Sequence, residues 1–264
     1  MDYQLKGKTA LVTGSTAGIG FDIARLLAGE GAMTIINGRT EERIKTASDR
    51  ILEETPDARL HGVSADLSTM GGVRKVIDAA SEVDILVNNM GIFEPKAFED
   101  IPDEDWLRFF ETNVMSGVRL SRHYLPGMKR KNWGRILFIA SESGVQIPAE
   151  MIHYGMTKSA QIAVARGLAE TSGGTGVTVN SVLPGPTDSE GVGTFVRQMA
   201  QEQGKTVEEM EQQFFKEVRP TSLLGRFTRP EEVAHMVVYL ASPLASATNG
   251  AAVRVDGGVV RSMI

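Results

Sequence analysis

Short apolar runs rich in β-branched residues alternate with longer amphipathic stretches along this entire 264-residue chain. The apolar runs suit strands buried on both faces, and the 3.6-residue periodicity between them suits helices packed over those faces. Strand, helix and parallel strand make the βαβ unit, and its repetition leaves few architectures open. The pattern predicts an α/β fold, a doubly wound seven-stranded parallel sheet with helices on both faces. Strands are expected at residues 9–13, 33–37, 60–64, 84–88, 135–140, 177–183 and 252–255, and helices over 20–28, 41–53, 103–129, 153–171 and 230–240. Pro230 suits a first-turn position and is followed by Glu231 and Glu232, which complement a helix N-terminus. A single domain over 1–264 accounts for the whole pattern. Residues 187–229 interrupt the rhythm with polar, helix-like sequence carrying Phe195, Met199, Met210, Phe214 and Phe215, and this insertion reads as a substrate lid.

The chain has no cysteine, which excludes disulfides, thiolate catalysis and iron-sulfur clusters, so redox chemistry would have to come from a bound cofactor. His61, His123, His153 and His235 are scattered without ligand spacing, and no metal is assigned. A net charge of −5 has the wrong sign for a nucleic-acid partner. The one dense basic run, Lys129-Arg130-Lys131, is either a solvated loop or a docking patch for an acidic carrier. Charged residues near the start and the lack of any apolar run near the ~18 residues of a membrane span lead to the expectation of a cytoplasmic protein with no membrane partner.

Directly after the first expected strand stands Thr13-Gly14-Ser15-Thr16-Ala17-Gly18-Ile19-Gly20, which opens a helix. Glycines there permit a tight turn and a close approach to phosphate, with pyrophosphate at the helix N-terminus. At the end of the second strand, Asn37-Gly38-Arg39-Thr40 holds no carboxylate for a ribose 2′-hydroxyl, and Arg39 offers a cation for the 2′-phosphate of NADP. NADP is therefore the expected cofactor and NAD the alternative. Asp66 and Leu67 after the third strand, and Asn88-Asn89-Met90-Gly91 after the fourth, occupy carboxyl ends where open sheets bind ligands; the asparagines also suit plain turns.

Tyr154 and Lys158 lie four residues apart, one helical turn on one face, and Ser141 ends the fifth expected strand. A cation beside a phenol favours phenolate, so this grouping points to proton transfer.

Together these motifs resemble the short-chain dehydrogenase/reductase family from about residue 5 to 258, with the Rossmann-type sheet that family implies. Its glycine turn corresponds to Gly14, Ser15, Thr16, Gly18, Ile19 and Gly20, and its Asn-Asn-Ala-Gly to residues 88–91, which here place Asn89 and Gly91 at the cofactor. Its catalytic residues fall on Asn113, Ser141, Tyr154 and Lys158. Pro184, Gly185 and Thr187 resemble its nicotinamide segment, and Asp256-Gly257-Gly258 its usual ending. Met90 stands in place of alanine, Thr16 where many NADP-preferring relatives carry a base, and Glu142, which follows the serine, reads either as an exposed loop carboxylate or as a residue facing the substrate.

The resemblance implies an NADP(H)-preferring oxidoreductase that interconverts a carbonyl and a secondary alcohol. Tyr154 would exchange the proton, Ser141 hold the substrate oxygen, Lys158 lower the Tyr154 pKa and bind the nicotinamide ribose, and Asn113 position a water. The apolar residues of the insertion suggest a small or medium apolar ketone, aldehyde or secondary alcohol, with a polar steroid-like or sugar alcohol as a further alternative. The alternatives are a 3-oxoacyl-carrier-protein reductase-like enzyme and a non-catalytic NAD(P)-binding regulator. The family also implies a homotetramer, with a dimer as the alternative, assembled through the helices at 103–129 and 153–171.

Overall fold

Each of the seven apolar runs forms a strand: β1 (Thr9–Val12), β2 (Met33–Gly38), β3 (Leu60–Ser64), β4 (Ile85–Asn88), β5 (Gly134–Ile139), β6 (Val177–Pro184) and β7 (Ala252–Val255). The computed structural model describes residues 2–263, apart from the side chains of 194–199. Its strands form one sheet in the order β3-β2-β1-β4-β5-β6-β7, with every neighbouring pair parallel. Chain order reverses between β1 and β4, which opens a crevice at the carboxyl ends of those two strands.

Side chains alternate across a strand, so each strand feeds two cores. On one face Ala10, Val12, Ile36, Val87 and Leu137 pack under α1 (Gly18–Gly29), α2 (Glu41–Glu54) and α9 (Pro230–Ala241). On the other, Leu11, Ile35, Leu86, Ile136 and Phe138 pack under α3 (Met70–Ala79), α5 (Ser116–Lys131) and α6 (Ile152–Thr171). Strand β3 lies at an edge, and its His61 and Gly62 are exposed.

Two departures from expectation have physical causes. Helix α3 escapes sequence patterning because Gly71 and Gly72 depress helix propensity in its first turn; the Thr69 hydroxyl caps it by accepting from Gly72 N, and Val73 and Val76 anchor it in the core. The single helix expected over 103–129 is instead α4 (Asp103–Phe110), one π-helical turn (Glu111–Met115) and α5. Gly117 follows that turn, and a Cβ there would come within 2.7 Å of Phe138, so the glycine lets α5 lie close against the sheet.

The insertion is fastened at its base. Thr187 and Thr228 form an isolated parallel bridge, their hydroxyls 2.8 Å apart, with Asp188 N donating to Thr228 O and Thr228 N to Pro186 O. Between them run α7 (Glu190–Gln203) and α8 (Val207–Glu217), the latter opened by a Thr206/Glu209 capping box. Met210 joins Ala200, Val192 and Phe227 in a small core, and Phe214, Phe215 and Phe227 stack on one another at 5.1–5.2 Å. Met210, Phe214 and Phe215, three of the apolar residues expected to close over a substrate, have these partners within the insertion. Phe195 and Met199 lie outside the described side chains. Among the described residues, no helix is long and apolar enough to cross a membrane, and no group of His, Asp and Glu could hold a metal ion.

Candidate active site

The turn after β1 is built from hydrogen bonds within the protein. Gly14 and Gly18 adopt φ of 59° and 54°, the left-handed region that favours glycine. The Ser15 hydroxyl donates to Val12 O at 2.7 Å and accepts from Asn37 N at 3.0 Å, while Ser15 N donates to Asn37 O. Asn89 Nδ2 donates to Thr13 O and Gly14 O at 3.0 and 3.1 Å, and the Thr13 hydroxyl accepts from the amides of Asn89 and Met90 at 2.9 and 3.0 Å. Ser15 and Asn89, both expected at the cofactor, thus have their side chains engaged in shaping the turn. A Cβ on Gly20 would lie 2.4 Å from both Asn89 Nδ2 and Gly14 O, so only glycine fits there. Helix α1 opens after Ala17 with no side-chain cap, which leaves its first-turn amides to a ligand, with Ile19 in that turn.

Other sequence-selected residues divide by exposure. Arg39 is exposed at the end of β2 and makes no ion pair among the described residues, so its guanidinium can meet a phosphate. Thr16 packs over Gly38, where a Cβ would come within 2.5 Å of its Cγ2. The Asp66 carboxylate caps its own turn by accepting from Ser68 N and Oγ. Leu67 is fully buried in the core, so only its backbone is available to a nucleotide. Gly185 packs against Asp256, where a Cβ would lie 2.6 Å from its carbonyl oxygen, and the preceding Pro184 ends β6 in the core. The Thr187 hydroxyl is engaged with Gly185 O and Thr228, in the base of the insertion.

The proton-transfer group converges on the carboxyl ends of β4 and β5. The π turn delivers Asn113, whose Oδ1 accepts from Ile92 N at 2.8 Å and whose Nδ2 donates to Ile92 O and to Thr157 Oγ1, each at 3.0 Å. On α6, the buried Lys158 Nζ donates to Ile139 O at 2.9 Å and to Gln161 Oε1 at 3.1 Å. Gln161 Nε2 in turn donates to Asn113 O at 2.5 Å, so Gln161 ties Lys158 to Asn113. Gly91 lies beside both, and a Cβ there would sit 3.5 Å from Lys158 Nζ. Periodicity reads Gln161 as an ordinary helix residue, and sequence reasoning passed over it.

The Ser141 hydroxyl, which accepts from Ser143 N at 3.1 Å, lies near enough to the Tyr154 phenol to act on its titration, and the Lys158 ammonium lies 5.6 Å from the Tyr154 ring centre. Burial pushes the Tyr154 phenol up to about 12; Ser141 and Arg219 oppose this shift, and Glu142 reinforces it. Burial also pushes Lys158 down to about 7. Lys158 is not among the causes of the Tyr154 shift: its ammonium is aimed at Ile139 O and Gln161, and burial is the largest cause at both groups.

Glu142 also differs from expectation. It is 3% exposed, and its Oε1 accepts from Arg219 Nε at 3.1 Å while Arg219 Nη1 reaches Glu150 Oε1 at 3.0 Å. Arg219 follows α8 in the insertion, so this buried guanidinium ties the insertion to the segment after Ser141. A lone arginine between Val218 and Pro220 gave no sequence signal.

A family model described as enoyl-(acyl carrier protein) reductase matches residues 14–260. An oxidoreductase of Bacillus subtilis, the uncharacterised YvaG, is 53% identical over 263 residues and the whole of both chains. The D-beta-hydroxybutyrate dehydrogenase of Cupriavidus necator is 36% identical over 97% of this chain and 99% of that one. The crystal structure of L-sorbose reductase from Gluconobacter frateurii, complexed with NADPH and L-sorbose, superposes with a TM-score of 0.94 at 31% identity over the whole of both chains. The chain belongs to the short-chain dehydrogenase/reductase family of NAD(P)-dependent oxidoreductases.

The Lys158 shift has a measurable sign. Native Lys158 releases its proton near pH 7, whereas the unfolded chain holds that proton up to the ordinary 10.5. Between these values the unfolded state binds more protons, so the contribution of Lys158 to stability grows as pH rises through that window. Urea unfolding at pH 7 and pH 9 should show a smaller gain in Lys158→Met than in the wild type; equal gains would contradict a depressed Lys158.

Proposed function

We propose that the chain is an NADP(H)-preferring carbonyl reductase and alcohol dehydrogenase whose catalytic residues are Asn113, Ser141, Tyr154 and Lys158. The observation that carries this reading is the meeting of Ser141, Tyr154 and the Asn113–Gln161–Lys158 frame at the crevice beside the glycine turn. A dinucleotide suits that crevice: Gly14 and Gly18 hold the turn at positive φ, the α1 amides are uncapped, and Arg39 is unpaired among the described residues. When bound, NADPH supplies the hydride. The L-sorbose reductase relative, solved with NADPH, supports the same choice.

Burial pushes the Tyr154 phenol up to about 12, so it holds a proton that it can donate to a developing alkoxide. Ser141 holds the same oxygen. Lys158, pushed down to about 7 by burial, sits on Ile139 O where it can orient a ribose and exchange protons through the Asn113 side of the site. Residues 187–229 act as the lid, fixed at Thr187 and Thr228 and held over the Ser141 segment by Arg219.

A carrier-delivered acyl substrate has less support. Lys131 pairs with Glu82 at 2.8 Å and Lys129 donates to Thr171 O, so the basic run is partly engaged. It also precedes β5 while Ser141 follows it, and six strand residues place the two about 20 Å apart. We read the protein as cytoplasmic and as a homotetramer, with a dimer as the smaller alternative. The exposed Leu107 and Phe110 of α4 support an assembly through that face.

Tyr154→Phe should abolish turnover of any reducible carbonyl with little change in NADPH affinity, and wild-type turnover in that variant would refute the mechanism. Arg39→Ala should weaken NADPH about ten- to hundredfold by calorimetry and leave NADH unchanged, as expected for loss of a charge-assisted phosphate contact; equal losses would remove Arg39 from that role. Light scattering at micromolar concentration should give four subunits, and a strict monomer would end the assembly proposal.

A further inference from the structure

An ammonium only donates hydrogen bonds and a backbone carbonyl only accepts them, so a single neutral group that joins the two must do both. Gln161 is that group. Its Oε1 accepts from Lys158 Nζ at 3.1 Å, and its Nε2 donates to Asn113 O at 2.5 Å. The residue is 1% exposed, and exchanging the two ends of its amide would set donor against donor and acceptor against acceptor, so the amide has one orientation. Lys158 Nζ also donates to Ile139 O at 2.9 Å. With two of the three ammonium donors held by different partners, the direction of the third is set. We propose that Gln161 is a positioning residue for the reaction: it aims the remaining donor of Lys158 and holds the amine on neutral ligands, so that Lys158 can gain and lose a proton without leaving its place.

The surroundings leave this task to Gln161. Burial is the one cause acting on the Lys158 titration, and no carboxylate offsets it. Glu111 of the π turn is committed to Arg119, and Glu142 after β5 to Arg219 after α8. Tyr154, one turn earlier on α6, is itself pushed toward its neutral form by burial. A leucine at 161 would leave the ammonium and the Asn113 carbonyl each short of a partner. A glutamate would keep the contact with Lys158, set a second acceptor against Asn113 O and pin the ammonium charge. Gln161 does not titrate, so a change there reaches the reaction only through the groups it holds. A residue that merely packed α6 against the π turn would leave the Lys158 titration where it is.

This inference rests on the carbonyl-reduction reading above, and two measurements separate the two. The first needs no substrate: lysine labelled with carbon-13 at Cε is followed by NMR against pH, with the Lys158 signal assigned by its loss in Lys158→Met. The wild-type midpoint should lie near the value of about 7 that burial imposes. Gln161→Glu should raise it by at least about one pH unit, because an opposite charge favours the ammonium, and Gln161→Leu should lower it, because the charged form loses an acceptor. Should one variant fail to fold, as judged by circular dichroism, the other decides; should both fail, the side-chain amide signals of wild-type Gln161 must shift at the Lys158 midpoint. The second measurement is the pH profile of kcat with NADPH on whichever of diacetyl, 2-butanone and acetoacetate the wild type reduces fastest. Its inflection should move with the Lys158 midpoint in each variant. An unmoved midpoint in the folded variants, a Gln161 amide that ignores the midpoint, or a kcat profile that stays put while the midpoint moves overturns the role of Gln161 and leaves the reductase reading standing. Reduction of none of the three ketones by the wild type overturns that reading, while the NMR titration still decides whether Gln161 governs Lys158.

Discussion

The loops that leave β1 and β4 diverge from the point where strand order reverses, and one hydroxyl keeps them together. Thr13 Oγ1 accepts from two successive amides of the β4 loop, while Asn89 reaches back to the carbonyls of Thr13 and Gly14. A reversal in strand order creates a crevice for topological reasons alone. These four bonds convert it into a crevice of fixed width, because the glycine turn and the strand-end loop cannot separate without leaving buried polar groups unpaired. Gly20 then becomes obligatory as a neighbour of Asn89, and Gly91 is delivered to the side of Lys158. The site inherits its precision from the sheet through this clasp.

Electrostatics at the other end of the site follows from burial more than from pairing. Lys158 and Tyr154 are both driven toward their neutral forms, which is what a low-dielectric surrounding does to any ionisable group without a close counter-charge. The protein holds Lys158 with a carbonyl and an amide oxygen, Ile139 O and Gln161 Oε1, and neither fixes its charge as a carboxylate would. A group so held can change protonation within reach of neutral pH, a property suited to passing protons.

Much of this arrangement was legible in the amino-acid sequence, and what was not has identifiable causes. The strands were readable because burial on both faces makes each a continuous apolar run, and the candidate residues were readable because a strand end, a turn and a helix face have fixed spacings. Helix α3 was hidden by Gly71 and Gly72, whose weak propensity is overridden by a threonine cap and by packing of Val73 and Val76. Glu142 looked like a loop carboxylate because burial of a charge is decided by its partner, and Arg219 lies 77 residues away along the chain. The small core that Met210 shares with Ala200, Val192 and Phe227 was hidden because sequence does not reveal how α7 and α8 pack on each other.

The π turn between α4 and α5 has a consequence for how the outer face and the site can vary. In a continuous α-helix every residue advances about 100° around the axis, so the outward-facing residues of one end dictate which residues the other end turns inward. The wider turn at Glu111–Met115 breaks that phase relation. Helix α4 can therefore present Leu107 and Phe110 outward on its own angular schedule while α5 turns Leu120, Tyr124 and Met128 into the sheet on another. Asn113 sits at the phase change itself, so the exposed apolar face of α4 and the residue that braces Lys158 are mechanically adjacent but angularly independent.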